Sequence, residues 1–147
     1  MQMFPLIEQE EAQLVGWGVQ VLLLADPRSP ATALVQRRIA GMGGQIGLQR
    51  SLAGALAQIT ESPGAFGLLM ICCDDFGGME LGRQFLAQLA GAGQHVPAIL
   101  ISAACRCQTF PESAEEPVLL RAPLSAVSLH VGVEHALRPP LPAVSQA

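Results

Sequence analysis

The side chains able to do chemistry fall at the ends of apolar runs. Asp26 follows Val19–Ala25, Cys72 and Cys73 end Phe66–Cys73 with Asp74 and Asp75 directly behind, and Ser102 ends Val96–Ser102. Cys105 and Cys107 come soon after. Grouped thiols suggest a zinc site or a redox couple such as Cys73 with Cys107. A closed zinc site needs four thiolates at about 2.3 Å in a tetrahedron. Adjacent strand residues point to opposite faces, so Cys72 and Cys73 do not easily share one ion. The favoured expectation is small, reduced, buried thiols and no metal. Asp74–Asp75 can attract a cation, but such a pair is more commonly a plain polar turn. His130 and His135 lie five apart on one predicted helix and diverge by about 140°. They read as solvated or interface histidines.

The elements that hold these groups follow from pattern. VQVLLLAD, FGLLMICC and VPAILIS are continuous apolar runs, the mark of strands buried on both faces. Gln45–Arg50 reads as a polar edge strand and Pro117–Pro123 as a final strand. Ser29 before Pro30, and Ser51 and Ser125, are helix N-caps. Leu81, Phe85 and Leu89 recur at helical spacing. Between Cys105 and Glu116 the pattern weakens, and Pro111 makes any helix there short or broken. Strand and helix alternate, which predicts a doubly wound five-stranded parallel sheet of order 2-1-3-4-5, the flavodoxin-like arrangement. Residues 1–18 read as an extension, with a short helix over Pro5–Leu14 and Trp17 as an anchor. Residues 19–137 form the domain, and 138–147 a disordered proline-rich tail.

Composition narrows the function. The chain has 147 residues, half of them apolar and 14% charged, with a net charge of −4. Its basic residues form no stripe and it has no tyrosine, so nucleic acid is not an expected partner. No apolar run approaches the roughly 20 residues of a membrane span, and no signal peptide is evident, so a cytoplasmic location is expected. No G-x-S-x-G, P-loop or G-x-G-x-x-G is present, and no enzyme activity or cofactor is expected.

These residues resemble the receiver domain of bacterial response regulators over roughly Val19 to Leu137. VQVLLLADP is similar to the family's first strand, which ends in paired acids. VPAILISA is similar to its fourth, which ends in Ser or Thr and Ala. LRAPL is similar to the end of its fifth, which carries Lys-Pro, and GMEL to the Gly-x-x-Leu that opens its third helix. The resemblance implies a pocket in which two acids and an acceptor Asp hold Mg²⁺, the Asp takes a phosphoryl group, and a Lys and a hydroxyl stabilise it. In this chain Asp26 matches one acid while Ala25 replaces the other. Cys72 falls at the acceptor position, Ser102 matches the switch hydroxyl, and Ala122 replaces the Lys. A register shift of one or two residues would bring Asp74 or Asp75 nearer the pocket. A thiol is a poor Mg²⁺ ligand.

The resemblance thus implies a degenerate, stand-alone receiver that acts by protein interaction without phosphorylation. The alternatives are phosphorylation on Asp74 and a cysteine-based redox or metal sensor. Leu120, Leu124, Val127 and Val131 are the expected interaction surface. A homodimer is expected from the low charge, since large bare apolar patches are rare on monomers.

Overall fold

The computed structural model describes residues 18–113 and 115–138. Apart from Gly18 and Arg138, the expected N-terminal extension, with its Pro5–Leu14 helix and Trp17, and the proline-rich tail lie outside the described residues.

The apolar runs become the centre of a five-stranded parallel sheet of order β2-β1-β3-β4-β5. The strands are β1 (Gln20–Leu24), β2 (Gln45–Gln49), β3 (Leu68–Cys72), β4 (Ala98–Ser102) and β5 (Val118–Arg121). Side chains alternate between the two faces, so an unbroken apolar run fills both at once. Val21, Leu23, Met70 and Ile99 pack on one face, under helices α1 (Pro30–Gly41) and α4 (Ala126–Ala136). Leu22, Leu24, Ile71 and Leu100 pack on the other, under α2 (Leu52–Glu61) and α3 (Met79–Gly91). Each fully buried leucine contributes about 2 kcal/mol from area removed from water. The polar strand β2 pairs only with β1 and is half-buried at the edge, in keeping with its composition.

The caps are those expected from the serines. Ser29, Ser51 and Ser125 each accept a backbone N–H from the first turn of α1, α2 and α4, satisfying donors that a helix start leaves orphaned. In α3 the inward residues are Gly82, Phe85 and Leu89, while Leu81 is half-buried beside them.

Between β4 and β5 the described residues contain no helix, not even a short one. Thr109 instead forms an antiparallel bridge with Leu119, its N–H and carbonyl each bonding the Leu119 backbone at 2.9 and 3.0 Å. The segment therefore runs along the free side of β5 and satisfies backbone groups an edge strand would leave open.

This sheet corrects one expected surface residue. Leu120 is fully buried, because it points to the α4 face and lies against Gly132. Leu124 is half-buried against the same core, which leaves Val127 and Val131 as the exposed members of that set.

Candidate functional site

The carboxyl ends of parallel strands lie at one edge of the sheet, and the polar residues singled out above gather there. Asp26 stands just past β1, Cys72 ends β3, Ser102 ends β4 and Ala122 follows β5. Ser102 is one of two buried polar residues among the described residues, and the N–H of Ala122 donates to its carbonyl at 3.1 Å.

The β3 end turns immediately into a single turn of 3-10 helix, Cys73–Phe76. That turn decides which acid meets Ser102. Cys72 pairs in register with Ile101, one place short of Ser102, and its half-buried thiol packs toward the α1/α4 core. Asp74 projects across instead. Its carboxylate accepts the Ser102 hydroxyl at 2.6 Å and the Ala103 N–H at 2.8 Å. The Ser102 Oγ in turn accepts the Ala104 N–H at 3.1 Å. Asp75, the next residue, reaches the other way, and its Oδ2 accepts the Asp26 N–H at 2.9 Å. Two adjacent acids thus tie the β3 end to the ends of both neighbouring strands.

One ion pair forms at this edge among the described residues. The Asp26 carboxylate accepts the backbone N–H of Arg28 at 2.9 Å and faces its guanidinium at 3.4 Å. These bonds, the backbone one first, lower its pKa. A shallow depression is lined by Asp26, Arg28, Arg50 and Asp75, two acids with two arginines. Arg121 does not replace the missing Lys at the centre of the edge: its Nε donates to the Cys105 carbonyl at 3.1 Å, which turns the guanidinium toward the β4–β5 segment.

The four cysteines are free and do not converge. Burial pushes the Cys72 thiol up to about 12, with Asp75 adding to the effect, and pushes Cys73 to about 11. Cys73 lies in the α2/α3 core, on the face opposite Cys72, as strand alternation requires. Cys105 is buried and donates its S–H to the Cys107 carbonyl at 3.1 Å, while Cys107 is exposed. Among the described residues no three His, Cys, Asp or Glu side chains group so as to hold a metal ion.

Sequence reasoning missed one contact away from this edge. His135 on α4 donates from Nε2 to the Pro111 carbonyl, and its ring meets Phe110 edge-on, centroids 5.7 Å apart. The β4–β5 segment is thereby held beside the exposed stripe of α4. Neither residue carried a pattern that announced the pairing, since it joins a loop to a helix 24 positions later.

No protein-family model matches the sequence, and no curated protein matches it either. Solved structures do. The response regulator PhyR from Brucella abortus aligns with TM-score 0.62 and 16% identity over 91% of this chain and 54% of that one. The anti-anti-sigma factor PhyR from Bartonella quintana aligns with TM-score 0.58 and 20% identity over 91% and 54%. A fusion carrying a yeast Spc42 trimeric coiled-coil segment aligns with TM-score 0.65 and 12% identity over 85% and 80%. The fold is receiver-like. This chain spans about half the length of the PhyR structures, and at such identities the likeness concerns the fold. Among the described residues no helix is long and apolar enough to cross a membrane.

Proposed function

We propose that this chain is a receiver-like signalling domain that works through protein contact and without phosphorylation. The observation that carries the reading is the Asp74 carboxylate, whose two oxygens already accept the Ser102 hydroxyl and the Ala103 N–H. Under the receiver resemblance, a hydroxyl at the end of β4 is a donor that an incoming phosphoryl oxygen would need. A carboxylate of the chain itself now holds it. The neutral Cys72 thiol at the end of β3 and the Arg28 guanidinium on Asp26 also favour this reading, since neither environment suits a hard cation. Four cysteines that form no disulfide fit a cytoplasmic setting.

The proposed contact surface is the outer stripe of α4. Val127 is 72% exposed and Val131 40%, one turn apart, and Phe110 stands at the far end of the stripe against His135. A second copy using the same stripe buries it symmetrically.

A second reading has an observation of its own. Asp74 is exposed and lies at the sheet edge beside Ser102, so its carboxylate is open to a phosphodonor. One experiment separates the two. Incubation with acetyl phosphate and Mg²⁺ should leave no hydroxylamine-labile phosphate on the protein. Such a label on Asp74 or Asp26 would overturn the first reading, and a label on Asp74 would establish the second.

A further inference from the structure

A separate groove runs between α1 and α4, on the opposite flank of α4 from the β4–β5 segment. Its volume is about 480 Å³. Leu34, Met42 and Leu129 supply apolar lining, and Arg37, Arg38 and His130 supply basic and imidazole groups; among the described residues no acid lines it. That is unusual in a chain of net charge −4 with eight basic residues, two of which are here. Arg37 and Arg38 are exposed, and neither pairs with a carboxylate among the described residues. An apolar floor with a basic rim fits an acidic, amphipathic peptide.

The chain's own first 17 residues have that chemistry. MQMFPLIEQEEAQLVGW carries Glu8, Glu10 and Glu11, no Lys or Arg, and apolar Phe4, Leu6, Ile7 and Leu14. The point where this segment joins the domain lies close to the groove. Gly18 donates its N–H to the Gly43 carbonyl at 2.9 Å, next to the groove residue Met42. Gly18 also has φ of 73°, a left-handed turn that redirects the chain as it enters β1. Seventeen residues reach about 25 Å as helix or more than twice that when extended, ample for a groove along two turns of α1. Tethering raises the local concentration of the segment to the order of millimolar, so individually weak charge pairs suffice.

We propose that residues 1–17 dock in the α1–α4 groove, with Glu8, Glu10 and Glu11 facing Arg37, Arg38 and His130. Salt or a competing acidic peptide then displaces the docked segment. The proposal is independent of whether the domain is phosphorylated and of whether α4 pairs through Val127.

Trp17 is the single tryptophan and reports on the segment in the full-length protein. Acrylamide should quench its fluorescence weakly in the wild type. In R37E/R38E, and in E8Q/E10Q/E11Q, the accessible fraction should rise roughly fivefold, the scale expected from losing two or three exposed pairs. Raising the salt concentration should mimic either variant. Combining E8R/E10R/E11R with R37E/R38E should restore protection. Unchanged circular dichroism would verify that every variant is folded. Equal quenching in the wild type and both charge variants would overturn the proposal. Protection that disappears on dilution would also overturn it, because the segment would then be docking on a second copy.

Discussion

The hydroxyl of Ser102 donates to the carboxylate of Asp74 at 2.6 Å, joining the end of β4 to the turn that follows β3. Ser102 is fully buried while Asp74 is exposed, so the two partners have unequal alternatives. Water can serve Asp74 but not the hydroxyl. Ser102→Ala removes the donor and should cost about 1–2 kcal/mol, whereas Asp74→Ala strands it and should cost about 1–3 kcal/mol. Urea denaturation of both variants measures the difference. Asp74→Ala less costly than Ser102→Ala would show that the hydroxyl finds another acceptor.

Gly82 on α3 packs closely against Cys73 of the 3-10 turn and Leu100 of β4. A Cβ at Gly82 would stand 2.6 Å from the Cys73 Sγ and 3.2 Å from Leu100. Gly82→Ala should therefore destabilise by about 1–3 kcal/mol through overpacking, despite a helix-propensity gain of up to about 1 kcal/mol. Cys73→Ala removes the obstructing sulfur. The double variant should be more stable than the sum of the two single changes predicts, and strict additivity in a double-mutant cycle would contradict the contact.

Alkaline pH should weaken the fold through its thiols. Burial raises Cys72 from 9.0 to about 12 and Cys73 to about 11, so the native state resists ionisation that the unfolded chain allows. The contribution is intact below pH 9 and is lost as pH rises from 9 toward the folded values. The loss is at most about 1.4 kcal/mol per pH unit for each thiol. Stability measured from pH 7.5 to 10.5 should fall, and Cys72→Ala should flatten the slope. In the same range exposed Cys107 should alkylate well before Cys72 or Cys73. A pH-independent midpoint would remove the buried-thiol account.

Val127 offers a test of association that spares the fold. It is 72% exposed, so Val127→Glu should change monomer stability by no more than about 0.5 kcal/mol. A dimer built on the α4 stripe should bury on the order of 1,200–2,000 Å² and should not tolerate a carboxylate at its centre. Light scattering should therefore show a dimer for the wild type and a monomer for the variant. A wild-type monomer at high concentration, or a variant that stays dimeric, rules this surface out.

The sequence by itself determined the strands, their order and the helix starts, because those signals are local. VQVLLLAD, FGLLMICC and VPAILIS can be satisfied only by burial on both faces, and Ser29, Ser51 and Ser125 carry their capping chemistry within one turn. The same periodicity separated Cys72 from Cys73 before any contact was known. What only the tertiary structure decided is which groups meet across the sheet edge. The receiver resemblance puts Cys72 at the acceptor position and leaves Asp74 or Asp75 to a register shift of one or two residues. The 3-10 turn at Cys73–Phe76 carries Asp74 to Ser102 and turns Asp75 to Asp26. A one-residue change in where a strand ends redirects every following side chain, and no local pattern specifies that end. The β4–β5 segment is a like case. Pro111 told against a helix, but only the bridge of Thr109 to Leu119 and the grip of His135 on Phe110 and Pro111 give the segment a course. Those contacts depend on where β5 and α4 lie in space, which the order of residues between them does not encode.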